Sequence, residues 1–99
     1  MESVADLCDP AQLKRLVTTG NFRDGEAIAK AGEVRLTSVK AHEVTANVGG
    51  ALTQPRNVRL VSTPQGLVSH CSCNKRPQYF CKHAVAAGLI SREQATAKS

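Results

Sequence analysis

Cys71-Ser72-Cys73 and, after a seven-residue spacer, Cys81-Lys82-His83 bring three thiols and an imidazole together within thirteen positions. Thiolate and imidazole donors select zinc over harder cations, and a Cys₃His set is one of the usual closed tetrahedral zinc sites. The expected ligands are therefore Cys71, Cys73, Cys81 and His83, holding one structural Zn²⁺. On a strand, residues i and i+2 face the same side, so Cys71 and Cys73 can meet one ion, with Cα atoms ~6.6 Å apart and a bend after Cys71. On a helix, i and i+2 diverge, so Cys81 must sit just before a helix and His83 in its first turn. A helix N-terminus there also favours the Cys81 thiolate. An iron–sulfur cluster on the same donors remains the other metal reading. Disulfides require an oxidising compartment, and the N-terminus carries neither a basic n-region nor a long apolar h-region, so the expectation is a reduced, intracellular protein. Its expected place is the cytoplasm or nucleoid, or the nucleus in a eukaryote. Cys8, far off in sequence, reads as a small buried hydrophobe. His42 falls in a turn, and His70 falls on a strand beside Cys71, where it is ordinary surface or a hydrogen-bond partner to the site.

The elements that must position these ligands follow from capping and periodicity. Asp9, Pro10 and Gln12 read as a helix start, Leu13, Leu16 and Val17 as its apolar stripe and Gly20 as its stop, giving a helix over 10–19. Residues 21–32 hold two glycines and few apolar anchors and read as a short strand, a helical turn or both. From Val34 the period is two, and alternation resumes at Val44 after Lys40-Ala41-His42, which predicts a β-hairpin. Val58 to Ser62 makes a third strand, Pro64-Gln65-Gly66 a turn and Leu67 to Cys73 a fourth. Lys82 to Ile90 is Ala-rich and helical, and Ser91 with Gln94 reads either as a new helix start or as a frayed tail. The fold class is α+β: an N-terminal helix, a small antiparallel sheet, then a ββα-type zinc-binding unit. The expected division is an N-terminal helical segment 1–21, a zinc-binding domain 22–90 with ligands within 71–83, and a tail 91–99.

Composition agrees with a metal-stapled domain. The 99 residues include only Phe22, Phe80 and Tyr79 as aromatics. A chain of this size buries roughly 60–65% of its unfolded surface, so its core is thin and a staple is expected. The net charge of +5 is uneven: residues 1–50 hold seven acids and six bases, residues 51–99 one acid and seven bases. A one-signed half points to an anionic partner, nucleic acid first, although a solvated basic face is the plainer reading. Arg56, Arg59, Lys75, Arg76 and Lys82 are the candidate contacts, with Tyr79 available for stacking and Phe80 expected in the core. No apolar run approaches the ~18 residues that span a bilayer.

The string Cys71-Ser72-Cys73…Cys81-Lys82-His83-Ala84-Val85-Ala86 resembles the signature of SWIM-type zinc fingers. The segments upstream, from Gly25-to-Gly32 through Val34, Val44 to Val48 and Val58 to Leu60, are similar to the strands before that family's ligands, so the resemblance covers roughly residues 22–90. It implies a compact zinc unit that binds DNA or proteins, in a family usually attached to helicase-type remodellers, transposases or recombination-accessory proteins. Here no catalytic module accompanies it, which leaves a free-standing adaptor or a fragment; the Met1 start and capped first helix favour a complete small protein. The second functional expectation is a protein-interaction adaptor, using an apolar stripe of Leu7, Leu13, Leu16 and Val17, although packing of that stripe on the sheet is the expectation. An enzyme is not expected. Four protein ligands close the zinc shell, no His-x-Glu deaminase pattern or P-loop occurs, and Glu93 is the only acid after residue 43, so no small-molecule substrate is assigned.

Overall fold

The computed structural model describes residues 3–49, 56–72 and 80–97. Its order is α1 (Val4–Leu7), α2 (Pro10–Leu16), α3 (Thr19–Lys30), β1 (Val34–Val39), β2 (Glu43–Val48), β3 (Arg56–Thr63), β4 (Gly66–Cys71) and α4 (Lys82–Ala97). The class is α+β as expected, with more helix at the N-terminus.

Two caps beyond the expected one explain that difference. Ser3 accepts from the Asp6 N–H while the Asp6 carboxylate accepts from the Ser3 N–H, a reciprocal capping box that starts the single turn of α1. Asp9 caps α2 as expected, its carboxylate accepting from the Ala11 N–H at 2.8 Å with Pro10 in the first turn. The helix expected over 10–19 ends at Leu16, because Val17 is extended and Thr18 opens a new helix by accepting from the Asn21 N–H. Gly20 is thus inside α3 rather than a stop, and residues 19–30 form a twelve-residue helix instead of the mixed strand and turn.

The four strands form an antiparallel meander in the order β1-β2-β3-β4. The β1–β2 hairpin carries a bulge at Thr37, between the Leu36–Ala46 and Ser38–Thr45 pairs. Pro64 and Gln65 turn β3 into β4, with Gly66 at φ +123°, a conformation that L side chains avoid. β4 ends at Cys71; the expected continuation to Cys73 lies outside the described residues.

Alternation puts Val44, Ala46, Val48, Val58, Leu60, Leu67, Ser69 and Cys71 on one buried face. Across it lies α4, touching all four strands. Residues 84–88 of α4 are buried on every side, since α3 and α1 pack against it as well. Two glycines allow those approaches. A Cβ at Gly25 of α3 would stand 2.5 Å from Val85 Cγ1, and one at Gly88 would stand 3.0 Å from Cys8 Sγ and 3.5 Å from Leu13 Cδ1. The N-terminal apolar stripe is therefore divided. Leu13 is fully buried and packs against α4 at Gly88; Leu7 and Val17 are half-buried, and Leu16 is 47% exposed.

The C-terminal helix runs without restart to Ala97, for Ser91 is inside it, its hydroxyl donating back to the Ala87 carbonyl at 2.8 Å. The expected segment boundaries at 21/22 and 90/91 both fall within helices, α3 and α4. No helix among the described residues is long and apolar enough to cross a membrane.

Candidate metal centre

Cys71 is the last residue of β4 and points to the buried face. Cys81 immediately precedes α4, its carbonyl accepting from the Val85 N–H at 3.1 Å, and His83 is in the first turn. That is the arrangement the Cys-x-His spacing required. The strand end and the helix start bring Cys71, Cys81 and His83 together so that one ligand atom from each lies within 4.8 Å of the others. His83 Nδ1 stands 3.7 Å from both Cys71 Sγ and Cys81 Sγ. With Zn–S of ~2.3 Å and Zn–N of ~2.0–2.1 Å, a tetrahedral centre has S···N edges of about 3.6 Å. The two sulfur–nitrogen separations fit that polyhedron. Both cysteines are nearly buried, at 8% and 6% exposure, and His83 is half-buried. The described residues supply three donors. Cys73, the fourth expected ligand, lies outside them, as do Lys75, Arg76 and Tyr79.

The surroundings were only partly readable from sequence. Phe80 is buried beside Cys81, as expected of a core residue. Asn21 of α3 donates its side-chain Nδ2–H to the Phe80 carbonyl at 3.4 Å, a link across 59 positions that no local motif announces. His70 is exposed on the far face of β4 from Cys71, paired with Arg59. His42 Nδ1 and Ser62 Oγ share a hydrogen bond of 2.8 Å, which ties the β1–β2 turn to β3. Neither histidine belongs to the ligand group. Cys8 is fully buried on α4, and burial pushes its thiol up to about 12, with Arg92 pulling in the other direction.

The expected basic contacts separate. Arg56 and Lys82 are exposed. Both adjoin the centre: Lys82 sits between Cys81 and His83, and Arg56 precedes Asn57, whose N–H donates to Ser72 Oγ and whose carbonyl accepts from the Ser72 N–H, next to Cys71. Arg59 is instead held by Glu43 of β2, Nε to Oε2 at 2.8 Å. Phe80 also lines a groove of about 470 Å³, with Leu16, Thr63, Gly66, Leu67 and Val68.

No protein-family model, curated protein or solved structure matches this chain.

Proposed function

We propose that the chain is a small module stabilised by one structural zinc ion, and that it binds nucleic acid, DNA foremost, through its basic C-terminal half. The observation that carries the metal reading is the pair of 3.7 Å sulfur–nitrogen separations at His83 Nδ1, the spacing a zinc tetrahedron needs. Cys73, two positions beyond Cys71, completes a Cys₃His shell in this reading, which leaves no coordination position for a substrate. The nucleic-acid reading is supported by the charge asymmetry and by Arg56 and Lys82, both exposed next to the ligands. The resemblance to SWIM-type fingers adds to it. Contacts of this kind go to phosphates, so affinity falls steeply with salt and carries little sequence choice.

A titration of zinc-loaded protein against short single- and double-stranded DNA at two salt concentrations tests the reading. Micromolar or tighter binding, with a steep salt slope that Lys75→Ala/Arg76→Ala reduces, is the expected result. Absence of binding at low salt overturns it. One observation favours a second reading, an adaptor that docks on a larger nucleic-acid-processing enzyme: Leu16 is 47% exposed at the edge of the groove that Leu67, Val68 and Phe80 line. In that case DNA binding is absent and Leu16→Glu abolishes capture of the partner.

A further inference from the structure

We infer that α3 positions the metal ligands at the start of α4, with Asn21 and Gly25 gripping the chain on either side of Cys81; this rests on the zinc reading above. The two helices run parallel where they meet, since Asn21 reaches Phe80 while Gly25, one turn on, lies against Lys82 and Val85. The first grip is polar. The Asn21 amide donates to the carbonyl of Phe80, the peptide that leads directly into Cys81. The second is steric. A Cβ at Gly25 would come within 2.9 Å of the Lys82 carbonyl oxygen, which belongs to the peptide joining Lys82 to His83.

The grip itself is anchored. Asn21 is held in the first turn of α3 by the bond from its N–H to Thr18 Oγ1, and its neighbour Phe22 is buried. Outer groups that orient metal ligands typically alter affinity 10–100-fold when removed. Here they act through the backbone. Asn21 fixes where Cys81 Sγ stands relative to Cys71, which is carried by β4, and Gly25 fixes where His83 stands. A zinc ion meets its donors only when the β4 end and the α4 start are in this register, so α3 sets how tightly the centre holds its ion.

The test loads wild type, Asn21→Ala, Gly25→Ala and a control, Val44→Ala, with Co²⁺ to saturation and then competes Zn²⁺ against a chromogenic chelator. Val44 is buried on β2, two strands from Cys71, and reports general loss of stability. The saturated Co²⁺ d–d spectrum reports donor geometry whatever fraction of apoprotein is folded. Asn21→Ala and Gly25→Ala are expected to shift that spectrum and to weaken Zn²⁺ binding 10–100-fold beyond Val44→Ala, compared at equal loss of Tm. A saturated spectrum of Asn21→Ala that superimposes on wild type, with no affinity loss beyond the control, overturns the inference. Should Gly25→Ala fail to fold, Asn21→Ala decides alone. If wild type itself takes up neither Co²⁺ nor Zn²⁺, the zinc reading fails first and this inference goes with it.

Discussion

Cys71 Sγ and His83 Nδ1 stand 3.7 Å apart, twelve positions distant in sequence, one at the end of the last strand and the other in the first turn of the last helix. An ion shared by them would tie the sheet edge to the helix against which the four strands, α1 and α3 all pack. The candidate centre is local in sequence, but an ion held there would act on the whole packing around α4.

Removing the metal is thus expected to unfold more than the C-terminal half. Structural zinc sites supply apparent binding energies of about 10–16 kcal/mol, against a total domain stability of about 5–15 kcal/mol. Since α4 also supports α1 and α3, their helical signal should go with it. A strong chelator, or Cys81→Ser, is expected to abolish the cooperative thermal melt followed by far-UV circular dichroism. A melt unchanged by either treatment contradicts a structural zinc.

Two glycines of one helix should respond in opposite directions. Ala at Gly20 meets nothing within 4 Å, so the gain in helix propensity stands alone and stability rises by about 0.5 kcal/mol. At Gly25 the new methyl would sit 2.5 Å from Val85 Cγ1 and 2.9 Å from the Lys82 carbonyl oxygen. Overpacking of that kind costs about 1–3 kcal/mol, more than the propensity gain returns. Urea denaturation of the two zinc-loaded variants separates them by midpoint.

That contrast also explains why α3 was hidden in the sequence while other elements were plain. The strands announce themselves because Val44, Ala46 and Val48, then Val58 and Leu60, keep a strict period of two. The start of α4 is legible because a Cys-x-His pair cannot ligate from inside a helix. In α3 the buried positions are Phe22 and Gly25, so one of the residues facing α4 contributes no side chain and looks like a breaker. Its close approach to α4 supplies by packing what glycine withholds in propensity. Likewise α1 is a single turn held by Ser3 and Asp6, too short for any apolar period to show. Asn21 was illegible for a different reason, since its partner is Phe80 and only the folded chain brings the two together.

Burial of Cys8 is expected to cost the protein stability at alkaline pH. Its folded pKa, raised to about 12 by burial, exceeds the ordinary value of 9.0. Between those values the unfolded chain releases the proton and the folded chain keeps it, so stability falls as pH rises, by up to about 1.4 kcal/mol per unit. Below pH 9 the effect vanishes. Cys8→Ala is expected to flatten the dependence of the urea midpoint on pH between 9 and 10.5, while lowering stability at pH 7 through the cavity it leaves against Leu13 and Gly88. The same burial predicts that a thiol reagent at pH 8 leaves Cys8 unmodified in the folded protein and modifies it in urea.

If the chain binds DNA as proposed, its surface cations should contribute unequally. Arg56 is exposed beside the metal centre, and so is Lys82. Removing a cation that neutralises one phosphate should lower the slope of log K against log salt by about 1. Arg59 differs because Glu43 already holds it, Nη2 to Oε2 at 2.6 Å, and moving it to a phosphate means breaking that pair. The pair is partly exposed, so it contributes only about 0–1 kcal/mol to folding, yet it neutralises the charge a phosphate would meet. Arg59→Ala is therefore expected to change the slope by less than half as much as Arg56→Ala or Lys82→Ala. Glu43→Gln, which releases the guanidinium, should tighten binding at low salt and steepen the slope. Equal slopes for all four variants and wild type would mean that none of these side chains meets a phosphate, and would move the contact surface to Lys75 and Arg76.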